Sequence, residues 1–187
     1  MTVGNQIGVK LADGISVVKA MNLLGLPAKE RITGVDLADK LLRRAGEQGK
    51  SVYLLGAKEE VVSALAQKLK AQYPQMEVRY KNGYSKDKDA DFREIEAFQP
   101  DLVLVALGVP AQEKLIARHL GNFSKGVFIG VGGSFDVLSG SKRRAPALFV
   151  KTNTESLYRI LREPSRLGRF YRNNIKFLGE VRKEAKG

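Results

Sequence analysis

Short unbroken apolar runs alternate along this chain with stretches whose apolar residues recur every three or four positions. The unbroken runs predict strands: Ser51–Leu55 (SVYLL), Met76–Tyr80, Leu102–Leu107 (LVLVAL) and Val127–Val131, with a shorter extended run at Gly8–Leu11. The helical spacing appears first in Ile15, Val18 and Met21, with Leu24 beyond, and Gly25 and Pro27 end that segment. A second stripe is Val35, Ala38, Leu41, Leu42 and Ala45, closed by Gly46 and Gly49. Val61, Val62, Leu65, Ala66 and Leu69 make a third, and Phe92, Ile95 and Phe98 mark a shorter helix. After LVLVAL, the Gly108-Val109-Pro110 turn leads into a helix with Pro near its first position. Gly132-Gly133-Ser134 opens another after Val127–Val131.

The strands lack the period-two alternation of a half-exposed sheet. Continuous apolar strands separated by helices predict an α/β fold, a mainly parallel Rossmann-like sheet with helices on both faces. In such sheets the ligand crevice lies beyond the carboxyl ends of the strands. That rule gathers the loops Asp13-Gly14, Gly56-Ala57, Gly108–Gln112 and Gly130–Asp136 into one candidate site. No internal repeat or low-complexity tract interrupts the pattern.

The pattern changes near residue 145. Glu155–Arg162 is helical in spacing, Pro164 restarts a helix, and no strand follows. The chain is therefore read as an α/β catalytic domain over residues 1–145 and a basic amphipathic helical appendage over residues 146–187. Charge supports the division: residues 141–187 hold 13 basic and 4 acidic residues, a net of +9, out of +12 for the whole chain. Arg159, Arg162, Arg166 and Arg169 are spaced to share one helix face if the two helical pieces are nearly coaxial. Leu157, Ile160, Leu161, Leu167, Phe170 and Phe177 supply apolar surface beside them. Such a patch attracts polyanions, whether a pyrophosphate, an anionic lipid surface or nucleic acid; a solvated lysine- and arginine-rich helix accounts for it equally well.

With 187 residues, an apolar fraction of 43% and a charged fraction of 28%, the chain has a globular composition. It has no cysteine and one histidine, which excludes disulfides, a thiol nucleophile and multi-histidine or cysteine metal sites. No apolar run approaches the ~20 residues of a membrane span, and the first residues lack the apolar centre of a signal peptide, so a cytoplasmic location is expected.

Each candidate residue has a plain structural alternative. Glycines at Gly130-Val131-Gly132-Gly133 let a phosphate approach backbone N–H groups, yet a tight strand–helix turn needs them as well. Asp136 is either a dipole-favoured carboxylate in a first helical turn or an acceptor for a nucleoside. Asp13, at a strand end, serves as an N-cap or as a general base, and capping is the simpler reading from spacing alone. Gln112 is suited to a sugar or phosphate, while Glu113 suits the helix dipole without further function. His119, near that helix's end, reads as a surface C-terminal histidine. Asp87, Asp89 and Asp91 fall in a lysine-interrupted loop or helix start and do not read as a metal site.

Several stretches occurring in order resemble a known family. They are Ala12-Asp13-Gly14, Glu30–Leu37 (ERITGVDL), Tyr53–Ala57 (YLLGA), Asn82-Gly83-Tyr84, Pro100-Asp101-Leu102, Ala106–Glu113 (ALGVPAQE), Gly130–Gly140 (GVGGSFDVLSG), Arg144-Ala145-Pro146, Leu157-Tyr158-Arg159 and Glu163–Arg166 (EPSR). Together they resemble the WecG/TagA/CpsF glycosyltransferases (family 26) over nearly the whole chain. The resemblance implies a metal-independent inverting transferase that moves N-acetylmannosamine, or a related sugar, from UDP to undecaprenyl-diphosphate-N-acetylglucosamine. The product would feed teichoic acid, common antigen or capsule synthesis.

Carried over by position, the resemblance makes Asp13 the catalytic base and Arg31 and Gln112 active-site polar residues. Gly108, Gly132 and Gly133 fall in the donor-binding loops, and Asp136 lies near the uracil nucleoside. Arg159, Arg166 and Arg169 match arginines of the appendage, which is expected to close over the site and dock on the membrane. No cofactor is implied. The expected partners are a UDP-sugar donor, a polyprenyl-diphosphate-linked sugar acceptor and an anionic membrane surface, with the protein peripheral on the inner face of the bacterial membrane. Nucleic acid is not among them, and a homo-oligomer is compatible with the reading. Family members carry roughly fifty further residues, the scale of an additional βαβ unit, ahead of the point where this sequence begins. Ala12 stands where the family has Pro, and Ser156 where it has Trp. The alternative reading is a non-catalytic nucleotide- or nucleic-acid-binding α/β module with a basic tail.

Overall fold

A computed structural model describes residues 15–26, 32–146, 148–149, 152, 154–162 and 167–184. They divide into two compact units. One is Gly34–Arg143; the other takes the described residues of Leu11–Thr33 and Arg144–Gly187.

The first unit follows the predicted rhythm. Its elements are α2 (Gly34–Glu47), β1 (Ser51–Gly56), α3 (Glu59–Gln72), β2 (Glu77–Lys81), α4 (Lys88–Phe98), β3 (Leu102–Ala106), α5 (Ala111–His119), β4 (Val127–Gly130) and α6 (Ser134–Leu138). The strands form one parallel sheet in the order β2-β1-β3-β4. Chain order reverses direction between β1 and β3, which makes their carboxyl ends the topological switch point.

Strand alternation splits the core in two. Val52 and Leu54 of β1 and Leu102 and Leu104 of β3 point to the face covered by α2, α3 and α6, where Leu42, Val62, Leu65 and Phe135 pack on them. Tyr53, Leu55, Val103 and Val105 point to the other face, against Phe92 and Ile95 of α4 and Leu115 and Ile116 of α5. β1 and β3 are buried on both faces, which explains why their sequences read as continuous apolar runs. The outer strands β2 and β4 are more exposed. Every stripe residue anticipated on α3 is buried.

Charged groups tie the helices of the second face together. Asp87 caps α4 by accepting from Ala90 N–H at 2.8 Å. Asp91 is buried, with Lys81 Nζ 3.2 Å and Lys88 Nζ 3.6 Å from its two oxygens. Lys81 also pairs with Glu94, which accepts from the Tyr53 hydroxyl at 3.4 Å. Burial, with the Glu94 carboxylate next, pushes the Tyr53 hydroxyl up to about 12.

His119 is not the surface histidine its position suggested. It is 8% exposed and stacks on Phe92 at 4.9 Å, with Nδ1 2.8 Å from Glu96 and Nε2 2.8 Å from Asp89. Asp89 also receives Arg118 at 2.8 and 3.0 Å. The spacing could not reveal this, because both carboxylates come from α4 and meet His119 only through packing. Hydrogen bonds from His119 and Arg118 hold Asp89 below its ordinary value. Asn122 and then His119 do so for Glu96, against an opposing effect of burial.

At the amino end of the sheet, Asp101 accepts from Ser51 N–H (3.0 Å), Ser51 Oγ (2.8 Å) and Lys125 Nζ (2.9 Å). The Ser51 backbone bond foremost, then Lys125 and the Ser51 hydroxyl, hold the Asp101 carboxyl well below the usual range. A depressed folded value contributes stability that is present above the unfolded carboxylate pKa of about 4 and lost as pH falls below it. Asp101→Asn is therefore expected to lower the urea midpoint at neutral pH and to flatten its decline in acid. Equal acid slopes in the two proteins would contradict this.

In the second unit, α1 (Ile15–Leu23) packs on α9 (Phe177–Glu184). Between them in sequence lie α7 (Glu155–Arg162) and α8 (Leu167–Phe170), the latter running through a π-helical turn at Tyr171–Lys176 into α9. Leu161, Leu167, Tyr171 and Ile175 are exposed. Among the described residues, no helix is long and apolar enough to cross a membrane.

Candidate active site

The carboxyl ends of the strands carry three of the loops singled out by sequence, Gly56-Ala57, Gly108–Gln112 and Gly130–Asp136, joined into one rim; the predicted strand Gly8–Leu11 and the Asp13-Gly14 loop lie outside the described residues. Ala57 N–H donates to Ala106 O at 3.1 Å, linking the loops after β1 and β3. Gly83 N–H donates to Ala57 O at 2.8 Å, bringing the loop after β2 alongside. In that loop Asn82 Oδ1 accepts from Tyr84 N–H at 2.9 Å, and the Tyr84 ring is 72% exposed. Tyr84 is a rim residue to which the sequence assigned no role, although it stands in the Asn82-Gly83-Tyr84 stretch of the family resemblance.

Gln112, in the first turn of α5, connects the remaining two loops. Pro110 occupies the N-cap position, one residue earlier than anticipated, after a cis Val109–Pro110 bond. The Gln112 side chain is 3% exposed. Its Oε1 accepts from Gly108 N–H at 3.2 Å and from Gly132 N–H at 3.1 Å, and its Nε2 donates to Glu113 Oε1 at 2.8 Å. Gly108 and Gly132 both have positive φ, +80° and +50°. Asp136 stands at the third position of α6, with Oδ1 3.8 Å from Lys142 Nζ and Oδ2 facing the position a Gly133 side chain would take.

Gly108, Gln112, Gly132, Gly133 and Asp136 are thus brought together beyond β3 and β4. Arg159 and Arg169 lie in α7 and α8 of the second unit. Asp13, Arg31 and Arg166 lie outside the described residues. His119, at the far end of α5, has no place on this rim. Asp87, Asp89 and Asp91 are each engaged by partners in or beside α4, and among the described residues no cluster of His, Cys, Asp or Glu is arranged to hold a metal ion.

A parallel doubly wound sheet with glycine-rich loops at the carboxyl ends of its strands defines a protein of the Rossmann-like class. The sequence pattern of the glycosyl transferase WecG/TagA/CpsF family matches residues 2–187, and the chain belongs to that family. Among curated relatives, an N-acetylglucosaminyldiphosphoundecaprenol N-acetyl-beta-D-mannosaminyltransferase of Bacillus spizizenii is 41% identical over 157 residues, covering 83% of this chain and 61% of the relative. One of the same name from Staphylococcus aureus is 40% identical over 166 residues, covering 88% and 65%. The chain therefore spans less than two thirds of the length of these relatives.

Proposed function

We propose that the chain transfers N-acetylmannosamine, or a closely related sugar, from UDP to undecaprenyl-diphosphate-N-acetylglucosamine with inversion at the anomeric carbon. The observation that carries the reading is the family match over residues 2–187, together with relatives named for that transfer. The glycine-lined rim is the kind of surface a sugar-nucleotide needs, because backbone can approach its phosphates closely.

In this reading residues 1–145 form the catalytic domain and 146–187 the appendage. Asp13 removes the proton from the acceptor hydroxyl as its oxygen attacks the anomeric carbon opposite the departing UDP. Arg31 and Gln112 complete the polar lining. Gly108, Gly132 and Gly133 admit the donor, and Asp136 accepts from its nucleoside. Charge building on the leaving pyrophosphate is met by Arg159, Arg166 and Arg169, whose forked donors match phosphate oxygens. The net +9 of residues 141–187 also suits a protein working on a lipid-linked acceptor at the anionic inner face of the membrane.

The test is a calorimetric titration with UDP and UDP-N-acetylmannosamine, followed by a transfer assay with a short-chain lipid-diphosphate-N-acetylglucosamine acceptor. Saturable UDP binding and inverted product are expected. Absence of UDP binding, with steeply salt-dependent binding to oligonucleotides, would favour the non-catalytic alternative instead.

A further inference from the structure

We propose that Gln112 and Glu113 act as a positioning pair, holding the loops after β3 and β4 in one frame. Two N–H donors, from Gly108 and Gly132, converge on one atom of the Gln112 amide, and only its oxygen can accept both. Gln112 N–H in turn donates to Gly108 O at 3.0 Å, so Gly108 is held from both its N–H and its carbonyl. The amide nitrogen is left facing Glu113 Oε1 at 2.8 Å. That carboxylate accepts only, so it fixes which way the amide lies. A flipped amide would press NH2 against two donors and its oxygen against a carboxylate.

Gly130 completes the slot: a Cβ there would sit 2.9 Å from Gln112 Cδ, so any side chain would expel the amide. The strap is 3% exposed at Gln112 and reaches a loop twenty residues further along the chain. Glu113, read from sequence as a residue that merely suits the helix dipole, becomes the part that sets the orientation.

The ligand readout rests on the proposed sugar-nucleotide function; the structural readout does not. In 15N-labelled protein, the Gly108 and Gly132 amides are followed by chemical shift and hydrogen exchange, and UDP affinity is measured on the same samples. Gln112→Glu sets two carboxylates against each other; both amides should shift and lose protection, and UDP affinity should fall about tenfold. Glu113→Gln keeps an acceptor in place and should stay within about threefold of the parent. The double variant Gln112→Glu/Glu113→Gln reverses the donor–acceptor pair and should restore both amides and UDP affinity.

Unchanged glycine amides in Gln112→Glu, or a double variant no better than Gln112→Glu alone, would overturn the strap. If the parent chain binds no UDP yet shows the expected amide pattern, the functional reading fails and the strap stands.

Discussion

Replacing Asp13 by asparagine is expected to reduce sugar transfer by about 10²–10⁴-fold with little effect on thermal unfolding. Asparagine keeps the size and hydrogen-bonding reach of the side chain but cannot take up a proton. An acceptor hydroxyl is a poor nucleophile until its proton has somewhere to go. The loss should appear in kcat with a far smaller change in KM for the UDP-sugar, since donor binding is assigned to other residues. UDP affinity measured by titration should be retained. A variant that turns over at close to the parent rate would remove Asp13 from the role of base. A variant that loses UDP binding as well would place it in the donor pocket.

The second large effect is on stability. Gly56 ends β1 with φ +123°, a region that side chains rarely adopt. It is paired with Ala106 across the sheet, and a Cβ would stand 2.6 Å from the Ala106 carbonyl carbon and 2.9 Å from its Cα. These are backbone atoms of a buried strand and cannot swing aside. Gly83 lies against the same spot, where a Cβ added to it would stand 3.2 Å from both Ala57 N and Gly56 Cα. Gly56→Ala should therefore cost about 3 kcal/mol or more, combining an unfavourable dihedral with overpacking. Gly121→Ala is the control, because nothing lies within 4 Å of the Cβ it would add. Urea unfolding curves of the two variants should separate clearly. Closely matching midpoints would mean that the junction of the β1 and β3 loops is far softer than its geometry indicates.

The sequence anticipated the four strands of the sheet to within a residue or two, because β1 and β3 are buried on both faces and their neighbours fill stripes of the 3.6-residue period. It also collected the loops after β3 and β4, since each strand end is marked by glycine. What it could not show was which polar groups meet. His119 lies 23 residues from Glu96 and 30 from Asp89, and only the packing of α5 on α4 makes them partners. The same holds for Gln112, whose pattern suggested a ligand contact while its oxygen is taken by two glycine amides. The π-helical turn at Tyr171–Lys176 left no mark either, because a single wide turn shifts the register without changing composition.

Because successive residues of β1 and β3 feed opposite layers, these strands tolerate no change in length. Removing one residue from Val52–Leu55 would send the Tyr53 hydroxyl toward the aliphatic layer of Leu42 and Leu65 and strip Glu94 of its donor. Both halves of the interior would be mismatched at once. An insertion is expected to be accommodated in a turn instead, such as the one at exposed Lys86 ahead of α4, where an extra residue alters reach without inverting the sheet.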